Sequence, residues 1–250
     1  MKEFFYFYTD NTIRTPSFTT PHLIWLFSVI FLWIFALVFF KNKTKHTKDI
    51  FLYCLAIILI AAEALRYYVL ISNGVHSFVA LAPFDLCGFM VYITFFAIFL
   101  RKKMLMNLCY AFSFIATIFG VLTPSVVNFP TLSYIYIQGM LSHGIMFLTP
   151  MFFIVDCGFR PDVKYVPRIF ALFAGVTFLF IAPLDYFLKA NWFFIAWAPI
   201  GTPIEIFQNL VGWPGYIGLM FVLLIIIWTI MYLPFYLAER SKRRPEKIMS

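Results

Sequence analysis

Apolar residues along this 250-residue chain gather into long blocks, and the charged residues fall mostly in the short stretches between them. Seven blocks can be read, at about 22–40, 50–71, 79–100, 104–122, 134–155, 169–188 and 215–237, each close to the ~20 residues a helix needs to cross a ~30 Å hydrocarbon core. Runs such as Leu219 to Trp228 are continuously apolar. A membrane barrel would instead show weak alternation in segments of about ten residues, and backbone groups in lipid must be satisfied internally. The pattern predicts an all-α, polytopic membrane protein: a bundle of about seven transmembrane helices over 22–237, preceded by an extracytoplasmic segment (1–21) and followed by a basic cytoplasmic tail (238–250).

Composition agrees with lipid as the solvent. Hydrophobic residues make up 63% of the chain and charged residues 12%, against roughly a quarter charged in soluble domains. The formal net charge of +8 raises the question of nucleic acid, and the positions of the cations answer it. Lys41, Lys43, Lys45 and Lys48, then Arg101, Lys102 and Lys103, then Arg160, Lys164 and Arg168, and finally Arg240, Lys242, Arg243, Arg244 and Lys247 fall on one side of an alternating topology. Lys2, Arg14, Arg66 and Lys189 fall at or near the other. Such asymmetry places the N-terminus outside and the C-terminus in the cytoplasm. The charge is thus read as topology and contact with anionic lipid, with no nucleic-acid partner, in a multi-pass protein of the cell membrane. The first apolar block lacks a small-residue cleavage site and precedes a lysine-rich loop, so it is expected to remain as the first helix.

Two features break the apolar monotony. The segment from Lys189 to Pro214 holds Pro199, Pro203, Pro214, Gly201, Gly212, Trp192, Trp197 and Trp213. Tryptophan favours the headgroup boundary, so Trp192, Asn209 and Trp213 are candidates to hold substrate or lipid headgroups. The second feature is the set of polar groups inside spans, where each ionisable side chain costs roughly 2.5–3.5 kcal/mol on insertion scales. Glu63, Arg66, Asp85, Gln138 and Asp185 lie toward the outer halves of their helices. Glu63 and Arg66, three apart, are expected to form an ion pair.

Cys87 and His143 lie about eight and nine residues into their predicted helices, roughly 12–14 Å below the outer edge, so they can face each other. A thiolate is a nucleophile, and an adjacent imidazole can take its proton. Pro83 suits a first helical turn and would put Cys87 near a helix N-terminus. Asp85 falls about 200° from Cys87 on a regular helix. A buried cysteine is ordinarily an inert hydrophobe, and Cys54, Cys109 and Cys157 keep that reading. His143 also has a structural alternative, as a hydrogen-bonded tie between helices. His22 and His76 read as rim residues, and His46 belongs to the basic loop. No CxxC spacing or His-rich cluster points to a metal, and no cofactor is expected.

Several strings, in order, carry a family resemblance: Pro83 to Cys87 (PFDLC), Thr123-Pro124, Asn128-Phe129-Pro130, Gln138 to Gly144 (QGMLSHG), Gly158-Phe159-Arg160-Pro161, Asn191-Trp192, Gly212-Trp213-Pro214 with Tyr216, and Leu233-Pro234-Phe235. From about residue 80 to 237 the chain resembles the YwaF-type integral membrane proteins. Animal relatives of that group include an acyltransferase that moves a polyunsaturated acyl chain between phospholipids to make ether-linked phosphatidylethanolamine. The resemblance implies that Cys87 corresponds to a proposed acyl-carrying cysteine and His143 to its companion. Asp85 and Gly215 depart from the pattern, where relatives tend to carry His or Gln and a second Trp. The expectation is a lipid acyltransferase working on membrane phospholipids through a cysteine thioester, with Gln138 and helix-end amides stabilising the oxyanion. A small transporter or substrate-binding membrane component without covalent chemistry is the alternative, resting on Glu63, Arg66, Asp85 and Asp185. A receptor or assembly subunit, resting on helix count alone, ranks last.

Overall fold

The computed structural model describes residues 3–8, 12–124, 126, 128–199 and 202–243. Every regular element among them is helical. The chain divides into two compact units, 1–159 and 160–250, and each is described by itself.

The first unit contains α1 (Thr20–Phe40), α2 (Lys45–Ser72), a single turn α3 (Phe78–Leu81), α4 (Leu86–Leu100), α5 (Lys103–Leu122) and α6 (Tyr134–Val155). Local chemistry sets their ends. Pro21 occupies the first turn of α1, where its missing N–H costs nothing. Thr44 caps α2 by accepting from the Thr47 amide, and Ser133 caps α6 by accepting from Tyr136. The third predicted block is the one that differs, because it is not a continuous helix from 79 to 100. Ala82 is forced extended (φ −65°, ψ 133°) by the proline after it. The helix restarts only at Leu86, with Asp85 as its cap. α4 is therefore 15 residues long, about 22 Å, short of the ~30 Å of a hydrocarbon core.

Helices α5 and α6 form the inside of the unit, with most of their side chains buried, whereas α1 is largely exposed and apolar. One core cluster gathers Leu52, Ala56, Ala97, Ile98, Met106, Cys109, Phe152 and Phe153. Another gathers Val29, Val69, Val121, Tyr136 and Met140. At the end opposite the first cluster, loops tie the helices together. The Tyr134 amide donates to the Phe4 carbonyl at 2.8 Å, the Tyr134 hydroxyl to Ala62 O at 2.6 Å, and Trp25 Nε1 to Thr131 O at 3.2 Å. At the other end Lys48 Nζ donates to the carbonyls of Lys41 and Asp156, and Arg101 Nη2 to Asp49 at 3.0 Å.

The second unit holds one long apolar stretch, Val163–Leu188. It passes from a 3₁₀ turn through α7 (Val166–Gly175) and a π-helical segment (Val176–Ile181) to α8 (Ala182–Leu188). α9 (Pro203–Val211) and α10 (Gly215–Arg243) follow, so the proline- and tryptophan-rich segment 189–214 contains a short helix. Residues 244–250 of the predicted basic tail lie outside the described residues, as do Lys2 and Gly201. Among the described residues six helices are long and apolar enough to cross a membrane, with α4 a shorter apolar seventh.

Candidate functional site

The break before α4 builds one wall of the site. Asp85 Oδ1 accepts from the Gly88 amide at 2.8 Å, capping the helix, and Cys87 sits in its first turn. The cap folds so tightly that a Cβ on Gly88 would lie 2.9 Å from the Pro83 carbonyl oxygen and 3.0 Å from Asp85 Oδ2. The amides of Leu86 and Cys87 have no acceptor in the protein among the described residues, as expected for the first N–H groups of a helix.

Helices α5 and α6 build the other wall. His143 Nδ1 lies 2.7 Å from the Gly139 carbonyl one turn earlier, and a carbonyl oxygen only accepts. The proton of the neutral ring is therefore on Nδ1, which leaves the lone pair of Nε2 unprotonated. That atom faces Cys87 Sγ at 3.4 Å. The ring fits there because α5 carries Gly120 at the same level: a Cβ at Gly120 would overlap His143 Cδ2 and Nε2. Both Cys87 and His143 are half-buried. The thiol thus donates toward an imidazole that a backbone bond has already put in the accepting tautomer, an arrangement that can generate a nucleophile.

A second polar chain lies on the same α2 and α6 helices. Arg66 grips Glu63 with two bonds, Nε to Oε2 at 3.0 Å and Nη2 to Oε1 at 2.6 Å. Glu63 Oε2 also accepts from Gln138 Nε2 at 3.1 Å, whose other donor reaches Ser142 Oγ at 3.1 Å. Glu63, Gln138 and Ser142 are buried. The expected Glu63–Arg66 pair is present, whereas Gln138 has both amide hydrogens engaged and no donor left for a substrate oxyanion.

The remaining candidates lie in the second unit. Asp185 is buried; its Oδ1 accepts from the Trp192 amide at 3.1 Å and its Oδ2 has no hydrogen-bond partner. Trp192 is itself buried, Asn209 is exposed, and Trp213 is 67% exposed with Nε1 donating to Ile195 O at 3.2 Å. Of the three headgroup candidates, Trp192 is thus the buried one. His22 corrects the rim reading. It is fully buried, takes a hydrogen bond from the Phe18 amide on Nδ1 at 2.7 Å and lies 2.8 Å from Val121 O through Nε2. The only sequence signal for this was its place in the first turn of a helix opened by proline. The described residues contain no group of three His, Cys, Asp or Glu side chains placed to hold a metal.

The helices and their apolar lengths define a multi-pass helical membrane protein. A family model described as the TMEM164 family matches residues 17–232, and the chain belongs to that transmembrane family. No curated protein and no solved structure matches it.

Proposed function

We propose that this protein is a membrane-embedded lipid acyltransferase that carries a fatty acyl chain on Cys87. The observation that supports the reading is the 3.4 Å approach of Cys87 Sγ to the unprotonated Nε2 of His143. The resemblance to YwaF-type proteins and their acyltransferase relatives points to the same pair. In the first half-reaction Nε2 takes the thiol proton as Sγ attacks the ester carbonyl of a phospholipid. The negative charge that develops on the carbonyl oxygen falls to the acceptor-free amides of Leu86 and Cys87, at the positive end of α4, in place of Gln138. When the C–O bond breaks, the departing lysophospholipid oxygen takes the proton from Nε2 and a thioester remains. In the second half-reaction Nε2 takes the proton of a lysophospholipid hydroxyl, or of a lipoprotein amine. That acceptor attacks the thioester, the C–S bond breaks, and the thiol is regenerated. Under the N-outside orientation favoured by the lysine and arginine distribution, with α4 as a seventh span, the pair opens toward the outer leaflet.

Intact-protein mass spectrometry tests the reading. Wild-type protein incubated with phospholipid should gain a fatty-acyl mass that hydroxylamine removes and that Cys87→Ala lacks. Full acyl transfer by Cys87→Ala at equal expression would end the proposal. The transporter alternative draws on the unpartnered Asp185 Oδ2 in an irregular membrane helix. Proteoliposome uptake that required Asp185 but not Cys87 would favour it.

A further inference from the structure

A phospholipid brings a phosphate as well as an acyl ester, and the first unit has few cations to meet one at the end that carries Cys87 and His143. Among its described residues those are Arg14 and Arg66. Arg14 lies in the N-terminal segment with its guanidinium over the Tyr8 ring, 4.2 Å from the centroid. Arg66 is on α2, and its geometry is that of a pre-set anion clamp. Its Nε and Nη2 edge is fixed on Glu63, which Gln138 holds from the other side. The guanidinium also packs over the Tyr67 ring at 4.7 Å. Nη1 has no acceptor in the protein among the described residues, and the side chain is 22% exposed.

Depth supports a lipid source. α2 has 28 residues, about 42 Å, so centred on a ~30 Å core it overhangs by about 6 Å at each end. Arg66 is six residues, about 9 Å, from its C-terminal end at Ser72. That sets it about 3 Å inside the hydrocarbon boundary, from where a guanidinium reaches headgroup phosphates. Glu63, one turn deeper, does not. We infer that Arg66 Nη1 is the phosphate-binding donor of the site, holding the phosphodiester of a membrane lipid while its acyl ester lies at Cys87. The inference rests on the acyltransferase reading for why a lipid comes here, but not for whether one is bound.

The test is lipid retention in detergent-solubilised full-length protein, read by native mass spectrometry with phosphatidylcholine and diacylglycerol of the same chains. The key variant is Glu63→Gln/Arg66→Gln, which removes both charges and so avoids stranding a buried carboxylate. Arg66→Lys is the second, keeping the charge but losing the planar fork. Phosphatidylcholine retention should fall about 10-fold or more in the double variant, the scale of a charge-assisted hydrogen bond, and less in Arg66→Lys. Diacylglycerol retention should stay at the wild-type level in both. Displacement of phosphatidylcholine by millimolar inorganic phosphate would keep the phosphate site but assign it to free phosphate; no displacement assigns it to the lipid. Equal retention of both lipids in the double variant, or equal loss of both, overturns the inference. Should Arg66 pass while Cys87 takes no acyl group, the acyltransferase reading fails alone.

Discussion

Two histidines of the first unit approach neighbouring residues of α5, and their surroundings could hardly differ more. His22 spends both ring nitrogens on backbone, accepting from the Phe18 amide and donating to the Val121 carbonyl. Its tautomer is therefore fixed with the proton on Nε2, and nothing is left over for a ligand. His143 rests against Gly120, spends only Nδ1 on backbone, and presents Nε2 to a thiol. Residue type is shared, and the more deeply buried of the two, His22, is the saturated one, so neither property marks function. What distinguishes the two is the lone pair that the backbone leaves unused, and which group meets it.

Removing each ring in turn separates the two roles. His143→Ala should lower acyl transfer by about 10²–10⁴-fold, the usual weight of a general base, and leave thermal unfolding close to wild type. His22→Ala should do the reverse. Loss of two buried hydrogen bonds leaves the Phe18 amide and the Val121 carbonyl unpaired, at a cost of about 1–3 kcal/mol, with activity per folded molecule retained. Paired activity and melting measurements on purified variants decide it. If both variants lose activity and stability together, the distinction between the two rings is void.

A smaller change sharpens it further, through glycines that flank the His143 ring. Gly120→Ala puts a methyl where the imidazole lies and must push the ring off Cys87. Gly139→Ala keeps the carbonyl that fixes the tautomer, and its Cβ would meet Val126 only at ordinary distance, 3.5 Å. A misplaced catalytic group costs on the order of 10²-fold. Alkylation of Cys87 by iodoacetamide, followed across pH, should therefore change profile in Gly120→Ala and stay as wild type in Gly139→Ala. Identical profiles in the two variants would show that the seat on α5 does not position the ring.

These contrasts also show what the sequence can carry. Helices announce themselves through apolar length, so the first, fourth and fifth predicted blocks stand within a few residues of observed helices, whereas α2 and the sixth stretch begin five and six residues early and α10 runs six residues on. The approach of Cys87 and His143 was legible because depth along a helix is a matter of counting, although the count for Cys87 assumed a continuous helix that Pro83 and Asp85 interrupt. That interruption could have been read from the proline, which biases the residue before it away from helix. Asp85, assigned an uncertain place on the far face, is instead the cap that starts α4. Tautomers, the seat on Gly120 and the saturation of His22 depend on which backbone atoms of other helices arrive nearby. No spacing within one helix encodes that.

The opposite end of the first unit supplies the mildest test, on a cluster held mainly by backbone. Lys48 donates to the carbonyl oxygens of Lys41 and Asp156 at 3.1 and 2.9 Å, and lies 3.6 Å from Asp156 Oδ1. Burial pushes the Asp156 carboxyl above the usual carboxylate range, with the Lys48 ammonium pulling the other way. A carboxyl raised in the folded state binds its proton more tightly there than when unfolded. Its contribution is therefore fully present below the unfolded value of about 3.9 and is lost as pH rises through the folded value. Asp156→Asn keeps the carbonyl contact and removes that titration. Stability at neutral pH should shift by no more than about 1 kcal/mol, because the desolvation cost of the buried carboxylate offsets its 3.6 Å attraction to Lys48, and the fall in stability between about pH 4 and neutrality should be shallower than in wild type. A larger loss at neutral pH would mean that the carboxylate, rather than the two carbonyls, holds Lys48 in place.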